Sequence, residues 1–500
     1  MLELAFQPDR ERREPLYLQL ADYLSVLVAA DRLPEGERLP ATRELASILQ
    51  LSRNTVTQAY QRLVDHGVLR SHVGQGTFVA SRSAAAPADA GTPPASGREF
   101  AWDGLFAQGT RRVTIPPRAT DKTASDAARF DFTGGQVDVQ GLPVAELRRA
   151  YREAITRHLP SVANHRDPLG WPALRAEVAK LLVGRGIRCG PDDVVITSGA
   201  QQALDFVARA LIDPGDTAVV EQPGYFGATL ALQSAGAHLV GVGVDADGLR
   251  TDELARLLRT RRAKLVYTTP AAQVPTGAIL SDARRAALLD LADRYQVPLL
   301  EDDYDSEFRF GNPPLPALKV RDAAGQVVYV GTFSKALFPG MRLGYAIAAK
   351  PLLARLALVR GIAGFGSDAL AQVAVTEMLA TGALERHVRR LRARCTEGRD
   401  ALIDALDREM PDGVGFTAPA GGHAGWLELP REVDPDALQD AAAAAGVVYS
   451  RGDTFTIDGR CAGHLALSFI NQPASRIAEG VARLAECIRA QQNTHPGGTT

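Results

Sequence analysis

From residue 147 onward the chain alternates short apolar runs with helical patterns, and no other feature constrains its fold as much. The runs occupy residues 194–197, 217–220, 238–242, 265–267, 297–300, 327–330 and 343–347, with helical segments such as 200–212 and 282–295 between them. Such alternation predicts a mostly parallel α/β sheet covered by helices, with ligand groups at the strand ends. After about residue 376 the pattern changes. A long helix over 383–406 precedes apolar runs at 425–429 and 465–469, predicting a smaller α+β domain, and the alanine run 441–445 reads as helix.

Two of these runs lead into chemistry. Residues 327–330 feed a loop in which Lys335 stands among Thr332, Ser334 and Arg342. A lysine amine is a useful nucleophile when its pKa is lowered or an aldehyde is held beside it. Two hydroxyls and a guanidinium suit a phosphate dianion. Residues 297–300 run into Glu301-Asp302-Asp303-Tyr304-Asp305. Acids after a strand also bind metal or cap a loop. Pyridoxal phosphate (PLP) needs a carboxylate at its ring nitrogen, a lysine for its aldehyde and donors for its phosphate. Asp302, Tyr304, Lys335 and Arg342 supply those groups. Ser198-Gly199-Ala200-Gln201 stands at a strand-to-helix junction, which is either an ordinary tight turn or an anion site at a helix N-terminus.

The N-terminal 80 residues have a different pattern. Leu16, Leu20, Tyr23, Leu24 and Leu27 recur at helical spacing, and further helices are expected over 42–49 and 53–66, the last capped by Ser52. Short strands at 68–72 and 77–80 flank Val73-Gly74-Gln75-Gly76, giving a helix-turn-helix with a two-stranded wing. A small helical interaction module is the plain alternative. Between residues 38 and 80, five arginines (38, 43, 53, 62, 70) face two acids (Glu44, Asp65), an excess of three positive charges. That polarity suits DNA phosphates. Ser52, Arg53, Asn54 and Thr55 open the helix that would enter the major groove, where arginine reads guanine and asparagine reads adenine. Arg70 reads equally well as a surface charge.

Residues 81–98 are rich in Ala, Pro, Ser and Gly, and firm order returns by Phe130, so 81–127 reads as a linker between residues 1–80 and 128–500. The 500 residues carry a net charge of −2, unlike a protein basic throughout. Cys189, Cys395, Cys461 and Cys487 show neither metal-ligand spacing nor a disulfide framework, and no metal site is expected. With no secretory signal and no run of eighteen apolar residues, a cytoplasmic protein with no membrane contact is expected.

Thr197-Ser198-Gly199-Ala200-Gln201-Gln202, Glu221-Gln222-Pro223-Gly224-Tyr225, Pro275-Thr276-Gly277, residues 301–308 and residues 332–344 resemble fold-type-I aminotransferases. Glu301-Asp302-Asp303-Tyr304-Asp305-Ser306-Glu307-Phe308 looks most like the aminotransferase-like half of MocR-type regulators in the GntR superfamily. Leu39-Pro40-Ala41-Thr42-Arg43-Glu44-Leu45-Ala46, Ser52-Arg53-Asn54-Thr55-Val56 and Gly74-Gln75-Gly76-Thr77-Phe78-Val79 resemble the GntR winged helix. The resemblance implies a large α/β and a small α+β domain, PLP as cofactor, and a homodimer, domain-swapped head-to-tail. It implies that Lys335 forms the internal aldimine and that Asp302 faces the ring nitrogen, with Asp303 the alternative if the register shifts by one. Tyr304 would donate to the phenolate, and Tyr225 would stack on the ring. Ala200, Gln201, Thr332, Ser334 and Arg342 would complete the cofactor site. Arg43, Arg53 and the wing's Gly74 would touch double-stranded DNA, placing the protein on the nucleoid when bound.

Departures from the family pattern matter as much. Ala466 stands where the enzymes commonly carry an arginine for the substrate carboxylate. Val274 replaces Asn or an aromatic residue, and Ala272 replaces His. His165 replaces Tyr, and Thr229 stands where the regulators often show Arg. Alanine cannot replace a guanidinium–carboxylate pair, although Arg309 or Arg451 could bind an anion from elsewhere. The expected function is a PLP-dependent transcriptional regulator sensing an amine, an amino-acid-like molecule or vitamin B6, with room for vestigial aminotransferase activity. A working aminotransferase with a fused DNA-binding domain is the alternative, and a scaffold that has lost PLP is a third reading.

Overall fold

The computed structural model describes residues 6, 8–9, 14–72, 76–80, 105–113, 128–135, 137–165, 167–305, 307–308, 310, 316–364 and 366–494. Gly74, expected in the wing, and Arg309 lie outside the described residues. The chain forms two compact units, Met1–Trp102 and Asp103–Thr500.

In the first unit, helices Leu16–Ala29, Thr42–Ile48 and Arg53–Asp65 pack on a three-stranded antiparallel sheet ordered Arg38–Leu39, Gly76–Val79, Leu69–His72. Leu20, Leu24, Leu45, Val56, Tyr60 and Leu63 fill its core. Ser52 starts the third helix, its side chain accepting from the Thr55 N–H at 3.0 Å, and Tyr60 ties that helix to the Pro40 carbonyl at 3.0 Å. The expected winged helix-turn-helix is present, with Arg38–Leu39 as an extra strand too short to show periodicity.

The second unit holds an eight-stranded mixed sheet. Its order is Val194–Thr197, Gly344–Ile347, Val327–Thr332, Leu299–Asp303, Ala263–Thr268, Thr217–Gln222, His238–Asp245 and Gly248–Leu249. The pairings among its five central strands, from Val327–Thr332 to His238–Asp245, are parallel, and both edges are antiparallel. All seven expected strands are there. One boundary differs in an informative way: Glu301, Asp302 and Asp303 lie inside a strand instead of after it, and all are buried. They are tolerated because each has donors. The N–H groups of Leu318 and Lys319 reach Glu301 at 2.8 and 2.9 Å, the Tyr267 hydroxyl reaches Asp302 at 3.0 Å, and the Tyr329 hydroxyl reaches Asp303 at 2.5 Å.

A second sheet is ordered Gly415–Thr417, Ala424–Glu428, His464–Ser468, Val447–Arg451 and Phe130–Phe132. Helices Ala383–Glu409 and Ala474–Thr494 pack together in this part of the unit. Its edge strand comes from the start of the unit, so the smaller domain is not simply the part after residue 376. Phe130 and Phe132 are fully buried, and a Cβ at Gly480 would lie 2.6 Å from the Phe132 ring. Glycine there lets the last helix sit directly on the two rings. Within the segment expected as linker, helix Gln108–Arg112 packs on helix Phe226–Ser234.

Candidate functional site

The large and small sheets share one cavity of about 700 Å³. All nine residues expected to hold a cofactor line it: Ala200, Gln201, Tyr225, Asp302, Tyr304, Thr332, Ser334, Lys335 and Arg342.

Strand alternation decides which acid faces the cavity. In register, Asp302 lies opposite Val330 and Asp303 opposite Gly331 on the strand that leads to Lys335. Asp302 lines the cavity, whereas Asp303, the register alternative, turns toward Tyr329. Only Oδ2 of Asp302 is bonded. Among the described residues its buried Oδ1 has no partner. Burial pushes this carboxyl up to about 7, with the nearby acids adding to the shift and the Tyr267 hydrogen bond opposing it. An unsatisfied buried oxygen on a cavity wall marks a place for a cationic donor.

Lys335 is half-buried, and desolvation lowers its pKa while the Asp305 charge opposes that. The neutral amine, the nucleophilic form, is thereby favoured. Helix Ala200–Leu211 begins after Gly199, whose φ of 85° is left-handed, and its first residues, Ala200 and Gln201, line the same cavity, where the unpaired N–H groups of a first helical turn suit an anion. The Arg342 guanidinium would lie 3.4 Å from a Cβ at Gly199 and donates to the Ser198 carbonyl at 2.9 Å. Arg342 is itself left-handed at φ 48°, a conformation costing a non-glycine residue about 1 kcal/mol, which the surrounding loop must hold. Close approach is also built into the sheet, where a Cβ at Gly344 would lie 2.9 Å from Gly199 Cα and from the Gly331 carbonyl. The Thr332 and Ser334 hydroxyls, 3.0 Å apart, complete a set of donors suited to a phosphate.

Tyr225 presents its ring nearby, its hydroxyl donating to Gln201 at 3.4 Å. Burial pushes that phenol up to about 12, with Asp302 adding to it and Arg342 opposing. The Tyr304 hydroxyl donates to the Ala272 carbonyl at 3.0 Å. Beneath the wall, the buried Glu221 accepts from Thr268 at 2.6 Å and from the Thr269 hydroxyl at 2.7 Å, which braces the loop carrying Gln273.

On the small-sheet side, Ala466 lines the cavity between Trp426 and Ser450 of the adjacent strands. Arg451 lines it too, but its guanidinium is engaged by Asp453 at 2.6 Å and by Asp436. Val274 is on the wall, whereas Thr229 and His165 are not among the lining residues. Sequence reading missed His423, Phe226, Gln273 and the 133–135 segment, all of which line the cavity. Gln273 could have been found as a neighbour of Pro275-Thr276-Gly277. The others carried no signal.

In the first unit, Arg43, Ser52, Arg53 and Asn54 are exposed and Thr55 is half-exposed, all at or near the start of the second and third helices. Arg38 joins this set: its guanidinium would lie 2.9 Å from a Cβ at Gly76, at the base of the wing.

Comparison with known proteins agrees with both halves. The family described as bacterial regulatory proteins, gntR family, matches residues 16–79, and aminotransferase class I and II matches residues 131–484. The chain is 32% identical to the probable rhizopine catabolism regulatory protein MocR of Rhizobium meliloti, over 88% of this chain and 87% of that protein. It is 34% identical to the HTH-type transcriptional regulator TauR of Rhodobacter capsulatus, over 92% and 94%. Among solved structures, it resembles the alpha-aminoadipate aminotransferase LysN of Thermus thermophilus, complexed with N-(5'-phosphopyridoxyl)-L-leucine. That match has a TM-score of 0.74 and 31% identity, covering 79% of this chain and all of that one. Fold and site define a fold-type-I aminotransferase body joined to a GntR winged helix. The chain belongs to the MocR-type regulators of the GntR superfamily.

Proposed function

We propose that this protein is a PLP-binding transcriptional regulator whose aminotransferase-like body senses a primary amine or related molecule and alters DNA binding by its winged helix. The observation that carries the reading is Oδ1 of Asp302, without a partner among the described residues, on the wall of the cavity that also holds Lys335. Asp302 would take the pyridinium N–H. Ala200, Gln201, Thr332, Ser334 and Arg342 would hold the phosphate, and Tyr225 would cover the ring. Lys335 would hold the aldehyde carbon, and Tyr304 would donate to the ring oxygen. When bound, PLP supplies an aldehyde-level electrophile that a primary amine can reach. An effector shifts the protein between states only through its differential affinity for them.

Regulation is favoured over turnover by Ala466 and by the engagement of Arg451 with two acids, which leave the small-sheet wall, among the described residues, without the expected free guanidinium. The protein would act in the cytoplasm as a homodimer on double-stranded DNA.

The test is the visible absorbance of the full chain with added PLP, for wild type and Lys335→Ala. A lysine-dependent band in wild type, lost in the variant, supports the reading. Its absence from wild type would overturn it and leave a DNA-binding protein with a silent enzyme-like body.

A further inference from the structure

One cavity-lining side chain that the cofactor reading does not use, His423, is paired with a buried carboxylate. His423, between strands Gly415–Thr417 and Ala424–Glu428, directs Nδ1 at Oδ2 of Asp305, 2.9 Å away. Asp305 is buried, and among the described residues its Oδ1 has no partner. A buried carboxylate bonded to one imidazole nitrogen fixes the tautomer: Nδ1 carries the proton, and Nε2 keeps its lone pair. Nε2 lies 3.6 Å from where a Cβ would stand on Gly134, and both residues line the cavity shared with Lys335. The Tyr304 ring meets the imidazole edge to face, with centroids 5.6 Å apart and planes at 84°. Tyr304 in turn is fixed by the Ala272 carbonyl. The ionisable groups shown facing His423 are therefore Asp305 and Tyr304, both from the end of the Leu299–Asp303 strand. Lys335 is close enough for the Asp305 charge to oppose the lowering of its pKa.

An amine effector has a chemical problem that this pair resolves. A simple primary amine reaches the cavity as an ammonium ion, which has no lone pair and cannot attack an electrophilic carbon. We infer that His423 is the proton acceptor for the incoming effector and that Asp305 positions it and stabilises its charged form. The ammonium N–H bond breaks, its electron pair stays on the effector nitrogen, and the proton moves to Nε2. The resulting imidazolium donates to Asp305 through Nδ1, so the charge is held beside a buried carboxylate. Ala272, whose Cβ lies 3.5 Å from where a Cβ would stand on Gly422 beside His423, carries no base of its own. The inference rests on the amine-sensing reading above.

The probe is methylamine, added to full-length protein loaded with PLP. The rate of change of the Lys335-dependent band is followed from pH 6 to 10 in wild type, His423→Gln and Asp305→Asn. His423→Gln should keep the band and slow its response to methylamine by about 10²-fold, the usual size of a general-base contribution. It should also lose the ionisation that limits the wild-type rate at low pH. Added imidazole should restore part of the rate. Asp305→Asn should retain the band and slow its response to methylamine. A band and a pH–rate profile both unchanged in His423→Gln would overturn the inference while leaving the cofactor reading standing. A slower rate with an unchanged pH profile and no imidazole rescue would make His423 a packing partner of Tyr304, which also overturns it. If wild type shows no band, the cofactor reading fails first, and this inference fails with it.

Discussion

The Tyr267 hydroxyl donates to Oδ2 of Asp302 at 3.0 Å, while Oδ1 of the same carboxylate is buried without a partner among the described residues. This half-satisfied state gives Asp302 a cost that ligand binding can remove. Its carboxyl rises from 3.8 to about 7, chiefly through burial. Because the folded value exceeds the unfolded one, the folded chain holds this proton more tightly. The stability that results is complete below about pH 4 and is lost as pH rises through about 7. Asp302→Asn removes that loss. In PLP-free protein the variant's gain over wild type in chemical denaturation should be larger at pH 8 than at pH 5, by a few kcal/mol at most. The same substitution should weaken PLP binding about 10- to 100-fold, as expected for losing a hydrogen bond to a charged group. Equal stability differences at the two pH values would mean that Asp302 is not raised.

Ala466 offers a test of what the cavity accepts. Its neighbours Trp426 and Ser450 are on strands either side, and its side chain is at the cavity wall. Ala466→Arg would place a guanidinium there that is not already engaged, unlike Arg451. L-alanine should then perturb the Lys335-dependent absorbance at concentrations about tenfold lower than in wild type, while methylamine is unaffected. An unchanged ratio between the two probes would show that the wall at Ala466 does not contact an effector carboxylate.

How much of this was readable beforehand follows from the range of each signal. Lys335 and its hydroxylated neighbours are local in sequence, and all nine expected cofactor residues reach one cavity. The strands were legible because buried parallel strands are written as apolar runs. The acids 301–303 misled at the strand boundary, since their burial depends on Tyr267, Tyr329 and the 318–319 N–H groups, partners supplied by neighbouring strands and by the start of helix Leu318–Arg321. His423 was invisible for the same reason. It meets Asp305 across 118 residues of chain, and nothing in the spacing joins them. Phe130–Phe132 is too short to have a period, and its place in the small sheet is set by its partner Val447–Arg451.

Ser52 closes the first turn of helix Arg53–Asp65 by accepting the Thr55 N–H, and its hydroxyl lies 2.7 Å from that of Thr55. Ser52→Ala should cost this helix about 1 kcal/mol. In the full-length protein, hydrogen exchange of the helix amides should speed up by about fivefold where exchange follows local opening, while the amides of the eight-stranded sheet stay unchanged. Unchanged exchange at residues 53–57 would show that the cap is not stabilising.

Arg53 is exposed at the first position of that helix, beside the exposed Asn54, and the helix is held from behind by Val56, Ala59, Tyr60 and Leu63. A side chain so placed can enter a groove without disturbing the core. Arg53→Ala should therefore leave folding intact and weaken binding to an operator selected from random DNA by the full-length protein. A bidentate contact to guanine would cost about 1–3 kcal/mol and relax preference at one base position. A phosphate contact would weaken all sequences alike and reduce the salt slope by about one. Fluorescence anisotropy at several salt concentrations separates the two. Unchanged affinity at every salt concentration would remove the start of this helix from the DNA interface, and would shift attention to Arg38 at the base of the wing.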